Sequence, residues 1–568
     1  MKDRFDIAAD LRTIARLLEI KGENRFKTFA FIRGAEALER LRSDLDTLVK
    51  ARRLKEISGI GNALSSIIDE IYSTDECWML QQLRQELPPA VIELSEIPGL
   101  SLKKIIALHN HLQIESVADL KAACKESLVE NIKGFGAKSQ ARLLAAIEKL
   151  ENRDDNSLLL NHAIEQAEKV RQHLRACPEV VEAEVAGTIR RRKETIRQIC
   201  IVAASHQPRA VIDRFLCFPA MVQTDELEET RCRARLAGGL QSELIVVSPD
   251  EYIATLHART GSAKHIAKLQ EISHSQEVPY LVECGGGKQR GIESESKIYQ
   301  SLGLQYIPPE LREDEGEVEA AQIGTLPQPL ALEDIRGMTH CHTEYSDGRN
   351  SIEEMALAAQ AMGMSYLTIT DHSQSASYAR GLGIDRLREQ WDEIARVQER
   401  VSIRLLKGTE SDILEDGSLD YPDYLLNQFD ILIASIHARH KMDSDQMTRR
   451  LLRALKLPIF KVWGHPLGRL IPSRPPFACR LEEVLDAVAE SRCAIEVNGD
   501  PHRLDLEPHW IRLARNRGIK FIVSTDAHSI AGLANLPFGV SMARRGWLMR
   551  GEVLNTLGVE DFMRAIHP

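Results

Sequence analysis

The segment Met338-Thr339-His340-Cys341-His342 is a short, mostly apolar run that stops on a histidine, and its repetition decides the fold. The same design recurs at Tyr366 to His372, Ile403 to Glu410, Asp430 to His437, Ile459 to His465 and Lys520 to His528. Each reads as a buried strand ending in an imidazole or a carboxylate. Parallel strands that alternate with amphipathic segments close into a barrel, and side chains at their carboxyl ends point into one shared pocket. His340, His342, His372, His437, His465 and His528, together with several carboxylates, therefore converge as a multinuclear metal site. Alternate strand residues share a face, so His340 and His342 point the same way and Cys341 points into packing.

Outward from this region, 568 residues give room for about four domains. The net charge of -10 and a pI near 6.0 argue against a uniformly basic nucleic-acid coat but not against local basic patches. Ten cysteines without a CxxC pair fit reduced thiols better than a disulfide framework or a thiolate zinc site. The N-terminal stretch is charged throughout and lacks the apolar core of a signal peptide, and no run approaches the roughly 18 apolar residues of a membrane span. The expectation is a soluble, cytoplasmic, nucleoid-associated protein with no membrane partner.

Residues 1–152 read as helical, with apolar spacing such as Ile7, Leu11, Ile14, Leu17 and Leu18. Three glycine turns punctuate them: Ile57-Ser58-Gly59-Ile60-Gly61, Ile97-Pro98-Gly99-Leu100-Ser101 and Ile132-Lys133-Gly134-Phe135-Gly136, each followed by an apolar helix. Such turns present backbone N–H groups that bind phosphate without reading sequence. Lys103, Lys104, Lys133, Lys138 and Arg142 supply nearby charge. One such turn alone is an ordinary connection between packed helices; three within 80 residues resemble helix-hairpin-helix motifs, the second imperfect because Ser101 replaces a glycine. Gly59, Gly61, Gly99, Gly134, Gly136 and Lys138 are the candidate DNA contacts.

From Leu158 to Leu311 short strands mix with helices. Ala186-Gly187-Thr188-Ile189-Arg190-Arg191-Arg192-Lys193-Glu194-Thr195 resembles the Gly-Ser-x-Arg-Arg-x-Lys-Glu-Thr signature of family X DNA polymerases. Thr260-Gly261-Ser262 and Tyr306-Ile307-Pro308-Pro309-Glu310-Leu311 extend the match, and the barrel resembles the PHP (polymerase and histidinol phosphatase) domain. Nearly the whole chain is thus similar to bacterial and archaeal family X polymerases with a C-terminal PHP domain. The resemblance implies a multidomain α/β protein: a helix-hairpin-helix domain (1–152), an α+β nucleotidyltransferase-like palm and thumb (158–311), a linker (312–332), and a distorted (β/α)7 PHP barrel (333–568). The acidic run at 312–317 and the prolines Pro327 and Pro329 give the linker an exposed, flexible character that lets the barrel move.

The departures from the family are chemical. Nucleotidyl transfer uses two magnesium ions held by three carboxylates. Gln198 and Cys200 occupy the positions of the family's Asp-x-Asp, and Glu243 replaces the third Asp, so one acid of three remains. An amide and a thiol are poor ligands for a hard ion. Arg259 stands where an aromatic residue is usual, and Ile266 stands where an asparagine is expected. Polymerase activity is expected to be lost. Ile67 stands where lyase-active members carry a Schiff-base lysine, which removes that route as well. Gly285-Gly286-Gly287-Lys288 lacks Walker spacing and reads as a flexible loop.

The barrel departs nowhere. The resemblance implies that His340, His342, Glu410 and Asp526 hold a first metal, that Glu410 bridges to a second held by His437 and His465, and that Asp347, His372 and His528 hold a third. His440, His502, His509 and His567 are left as structural. Imidazole with carboxylate suits up to three divalent ions, manganese or zinc, with iron also compatible. The attacking group is then metal-bound water, and no protein nucleophile is needed. Arg439 and Arg469 are candidate phosphate contacts, each with a surface ion pair as its alternative, and Asn498 and Arg503 also match family positions. The expected function is a DNA-repair phosphoesterase that trims the 3′ end of gapped, nicked or 3′-blocked duplex. The alternatives are a working gap-filling polymerase, a histidinol-phosphatase-type enzyme acting on small phosphoesters, and a DNA-bound scaffold without turnover.

Overall fold

The computed structural model describes residues 4–567 apart from positions 22, 24, 40–44, 58, 75, 87–90, 92–93, 95–96, 98–99, 101, 113, 115, 133–134, 152–156, 237–238 and 278–291. The chain forms two units, Met1–Asp155 and Asn156–Pro568. No described helix is long and apolar enough to cross a membrane.

The first unit is helical. Ile7, Leu11, Ile14 and Leu18 on the helix Arg4–Lys21 pack with Leu64, Ile68 and Ile71 of the helix Asn62–Thr74, as their three- and four-residue spacing dictates. Ile67 packs at the edge of this cluster. All three glycine turns close in the same way: Ile60 N–H donates to Ile57 O (3.0 Å), Leu100 to Ile97 (3.2 Å) and Phe135 to Ile132 (2.9 Å). Gly59 has φ +95°, a left-handed conformation that glycine adopts without steric cost.

The second unit opens with a five-stranded sheet in the order β2-β4-β7-β6-β5, where β2 is Glu182–Val185, β4 Gln198–Ala204, β5 Met221–Leu227, β6 Arg231–Leu236 and β7 Gln241–Val247. Leu158–Leu159 (β1) and Thr195–Ile196 (β3) pair separately. A seven-stranded, fully parallel sheet follows: β8 (Gly337–Met338), β9 (Tyr366–Ile369), β10 (Arg404–Asp412), β11 (Ile431–Ser435), β12 (Lys461–Trp463), β13 (Cys493–Asn498) and β14 (Phe521–Ser524), in sequential order. Backbone bonds from His342 N–H to Ala527 O (2.8 Å) and from Ala527 N–H to His340 O (3.1 Å) bring the two ends together, so the sheet is a nearly closed (β/α)7 barrel.

The two-residue period of a strand explains where the barrel keeps its chemistry. Leu432, Ala434, Ile495, Val497, Phe521 and Val523 face the surrounding helices, whereas Ile431, Ile433, Val462, Ala494 and Ile522 face inward around Tyr366 and Phe562, whose rings stack at 4.9 Å. Continuing the inward parity toward the carboxyl ends gives His372 from Tyr366, Glu410 and Asp412 from Leu406, His437 from Ile433, Glu496 from Ala494, and Asp526 and His528 from Ile522. The floor of the barrel is apolar and its mouth is lined with ligand-type side chains.

Residues 312–332, expected as an exposed linker, are exposed at 322–325, but the charged stretch before them and Leu330 after them are packed. Arg312 is fully buried, donating to Glu295 (2.6 Å) and lying over Tyr299. Val318 and Ala321 join a core with Leu269, Tyr299 and Ile307, and Leu330 joins the barrel core. The acidic run is held in place: Glu313 pairs with Arg191 (2.9 Å), Asp314 with Lys268 (2.9 Å), and Glu317 hydrogen-bonds His265 (2.6 Å). Charges that read as a solvated run instead tie the stretch to the polymerase-like fold.

Candidate metal centre

Glu410 sits at the centre of the barrel mouth. Its Oε1 lies 2.8 Å from His465 Nε2, 3.2 Å from His437 Nε2 and 3.5 Å from His340 Nε2, while Oε2 lies 3.0 Å from His372 Nδ1 and 3.5 Å from His342 Nε2. Asp526 Oδ1 lies 3.2 Å from His342 Nε2 and 3.5 Å from His340 Nε2. Asp347 Oδ1 lies 3.3 Å from His528 Nε2 and 3.5 Å from His372 Nε2. All nine expected ligand side chains meet in one place. Among the described residues, three sets have donor atoms within 4.8 Å of one another: His340, His342, Glu410 and Asp526; His372, Glu410 and His437; and His342, Asp347, His372 and His528. The first matches the expected set. His372 rather than His465 completes the second, and His342 is shared between the first and the third.

These donors fit a divalent metal site. His340 Nε2, both ring nitrogens of His342, His372 Nδ1, His465 Nδ1, Glu410 Oε2 and Asp526 Oδ1 are buried without a hydrogen-bond partner. Buried polar atoms are nearly always satisfied, and so many orphans in one pocket fit divalent metal ions. Electrostatics point the same way. Burial and the charges of His528 and His372 push His342 down to about 3, leaving a neutral imidazole. Burial opposes charge on His437, but Glu410 and Asp412 outweigh it and lift the group to about 10; Asp347 and Asp526 lift His528 to about 9 against the same burial. The imidazole charges hold Glu410 and Asp526 well below the usual carboxylate range despite burial. Asp526 has φ +52° and His465 φ +25°, backbone strain of the kind that collects at functional sites.

A second layer orients the first. Glu496 Oε1 accepts from His340 Nδ1 (2.6 Å), its Oε2 accepts from the His465 backbone N–H, and Asp412 Oδ1 accepts from His437 Nδ1 (2.6 Å). Arg503 Nε lies 3.1 Å from Asp526 Oδ2, and its buried Nη1 has no hydrogen-bond partner. The half-exposed Tyr378 ring stands 5.8 Å from His372 and 5.9 Å from His437. Sequence reasoning missed Glu496, Asp412 and Tyr378. The inward parity of β13 and β10 carried the signal for the two acids.

The two arginines expected at phosphate stand in different settings. Arg439 is exposed and pairs with Glu415 at 3.3 Å. Arg469 is buried, donating to Arg503 O (2.7 Å) and Leu504 O and pairing with Glu507 (2.9 Å). Arg469 is held by local acceptors, Arg439 shows the surface ion pair that was its alternative reading, and Arg503 is a cation beside the cluster.

In the palm, Cys200, Glu243 and Arg233 stand in register across β4, β7 and β6. Arg231 Nε (2.6 Å) and Arg233 Nε (3.2 Å) donate to Glu243 Oε1, and Gln198 Nε2 donates to Oε2 (3.1 Å). Burial pushes the Cys200 thiol up to about 12. Among the described residues, the potential metal-holding groups all lie in the barrel. Ile266 Cδ1 lies 2.8 Å from where a Cβ on Gly261 would stand, so the glycine is required for Ile266 to cover the Thr260-Gly261-Ser262 turn. Arg190 and Arg191 bond Thr260 and hold the fold together.

Of the candidate DNA contacts, Gly59, Gly61, Gly136 and Lys138 are exposed, whereas Gly99, Gly134 and the Gly285–Lys288 loop lie outside the described residues.

Family models match four regions: a PHP domain at 339–500, a helix-hairpin-helix domain at 3–77, a SAM-like helix-hairpin-helix tandem at 91–149, and a DNA polymerase beta thumb at 255–313. The modules define a DNA polymerase–PHP fusion. The chain is 33% identical over 98% of its length to the DNA polymerase/3′-5′ exonuclease PolX of Bacillus subtilis (strain 168), covering 98% of that protein, and it belongs to the PolX family. Its barrel region is also similar to probable phosphatases of Thermoanaerobacter sp. (strain X514), 28% identical over 38% of this chain and 89% of that protein, and of Caldicellulosiruptor bescii, 30% identical over 34% and 78%.

Proposed function

We propose that this protein is a DNA-repair nuclease in which the helix-hairpin-helix region (1–152) and a silent polymerase fold (158–311) hold gapped, nicked or 3′-blocked duplex while the PHP barrel (333–568) hydrolyses phosphoesters at the 3′ end. One contrast carries the reading. The barrel gathers nine ligand-type side chains, six of which have a buried donor atom without a hydrogen-bond partner, whereas Glu243, the one acid left of the three expected in the palm, is neutralised by Arg231 and Arg233. The PolX relative is named for both polymerase and 3′-5′ exonuclease; the altered palm supports retention of the second activity alone.

His340, His342, Asp347, His372, Glu410, His437, His465, Asp526 and His528 hold up to three divalent ions, with manganese or zinc the best match to the nitrogen and oxygen donors and iron compatible. Such ions supply Lewis acidity toward a phosphoryl oxygen and activate a coordinated water. Glu496 and Asp412 fix the ring orientation of His340 and His437. Arg503, with its unpartnered Nη1, receives a nonbridging phosphate oxygen, and Tyr378 lines the rim where the terminal nucleotide enters. At the hairpins, Gly59, Gly61, Gly99, Gly134, Gly136 and Lys138 grip the backbone without reading sequence.

The test is incubation of the full chain with manganese and a 5′-labelled gapped duplex, with and without nucleotides, beside the His340→Ala, His342→Ala double variant. The expected result is laddered shortening that is absent in the variant and no extension when nucleotides are added. Extension would overturn the silent palm; hydrolysis of histidinol phosphate without DNA cleavage would favour the small-phosphoester reading.

A further inference from the structure

The polymerase signature ends in Lys193-Glu194-Thr195, and its glutamate faces the barrel. Glu194 Oε2 pairs with Arg545 Nη1 at 2.8 Å, and Oε1 lies 3.7 Å from Arg469 Nη2. Arg545 Nη1 also donates to Arg192 O at 3.2 Å. Despite burial, the two guanidinium groups hold the Glu194 carboxyl down at about 2, so it is ionised. Arg469 in turn grips the backbone carbonyls of Arg503 and Leu504, the latter at φ +44°, and is balanced on its other side by Glu507. Arg503 then meets Asp526, one of the four donors in the His340, His342, Glu410 and Asp526 set.

We infer that Glu194 and Arg469 are positioning residues: they form a strut from the polymerase-like palm that sets Arg503 against Asp526, so the metal centre of the barrel takes its working geometry from the palm. This rests on the metal-centre reading above. The physical step is electrostatic and then geometric. Glu194 and Glu507 are the carboxylates paired with the Arg469 guanidinium, with buried Asp505 also near it, in a site largely closed to water where charges are weakly screened. A displaced Arg469 releases two carbonyls in a strained backbone segment, and the Arg503 contact shifts with them. A palm without its full set of metal-binding acids thus retains a purpose in the barrel's chemistry.

The test uses the full chain with Glu194→Gln, Glu194→Asp, Arg469→Gln and the Glu194→Gln, Arg469→Gln double variant. Two readouts are taken: the visible spectrum on titration with cobalt(II) alone, and kcat and KM for bis(p-nitrophenyl) phosphate, a diester that needs no DNA grip. Outer contacts of metal ligands are worth about 10- to 100-fold, so Glu194→Gln is expected to lower kcat roughly tenfold with KM little changed. A shifted cobalt spectrum should accompany this, with partial rescue by Glu194→Asp. The double variant should match Arg469→Gln alone, since both substitutions cut one strut. An unchanged cobalt spectrum and kcat in Glu194→Gln would overturn the inference, as would a kcat loss that merely follows a fall in folded fraction by circular dichroism. If the wild-type chain cleaves neither DNA nor the diester, the hydrolase reading fails, and the cobalt spectra of the variants still decide the strut.

Discussion

The barrel mouth and the palm pocket start from the same raw material, acids on neighbouring strands, and end in opposite chemical states. In the barrel, Glu410 is surrounded by five imidazoles and keeps Oε2 without a hydrogen-bond donor. In the palm, Glu243 accepts from Arg231, Arg233 and Gln198. Both carboxylates are buried and ionised, yet one has imidazole neighbours that can give up a proton while the other has neighbours that are permanent cations. Two guanidinium groups on one oxygen neutralise the Glu243 carboxylate and weaken its attraction for an ion, whereas Asp526 meets a single guanidinium through Oδ2 and keeps Oδ1 toward the imidazoles. Whether a buried acid can serve as a ligand is therefore decided by the groups paired with it.

The sharpest way to break this comparison is to remove the shared acid of the barrel. Glu410→Gln keeps the shape but lowers both charge and ligand strength for every ion it touches, and should cost more than about a hundredfold in hydrolysis together with bound metal, read by elemental analysis. The equivalent change in the palm, Glu243→Gln, should leave hydrolysis intact. If both variants behave alike, the two pockets are not chemically distinct. One step smaller, Glu496→Gln and Asp412→Asn remove the acceptors that orient His340 and His437, and each should lower activity or metal affinity about 10- to 100-fold without unfolding the protein.

The comparison also has a proton signature. His437 and His528 are lifted to about 10 and about 9, so at pH 7.5 the metal-free chain carries a proton on each, and an incoming ion must displace them. Metal affinity should fall as pH falls, and titration calorimetry of chelator-stripped protein in buffers of different ionisation enthalpy should report net release of more than one proton per cluster filled. Proton uptake or none would mean that the imidazoles are already neutral before metal arrives. Metal added to the palm pocket should release none, since Arg231 and Arg233 do not deprotonate.

The fold was legible where strand period and side-chain chemistry coincide. Runs ending at His342, His372, Glu410, His437, His465 and His528 mark the barrel mouth, because a strand buried on both faces must be apolar until its carboxyl end and the ligands stand out against that background. The same parity, applied two residues beyond Glu410 and within the run Cys493–Asn498, would have exposed Asp412 and Glu496. The lock on Glu243 was not legible, since it depends on the antiparallel register that sets Arg233 opposite it. Nor was the packing of 312–322, where Glu313, Asp314 and Glu317 find partners 46 to 122 residues away in the chain. Long-range charge pairing leaves no local pattern, so an acidic run reads as a solvated linker until the fold supplies its cations. Arg469 was misjudged for the same reason.

The smallest expected effect is at Arg439. It is followed within one residue by His440 and preceded within two by His437 of the cluster, a placement that suggests phosphate binding, yet its side chain is largely exposed and reaches Glu415 at 3.3 Å. Exposed ion pairs of this kind contribute about 0–1 kcal/mol, so Arg439→Ala should change kcat and KM for DNA by less than about twofold. Arg503→Ala, by contrast, removes the buried cation with an unpartnered Nη1 beside Asp526 and should raise KM as well as lower kcat. Equal losses at both positions would mean that the phosphate approaches across the exposed Arg439 loop and not over Asp526, and the path of the 3′ end into the barrel would have to be redrawn from that side.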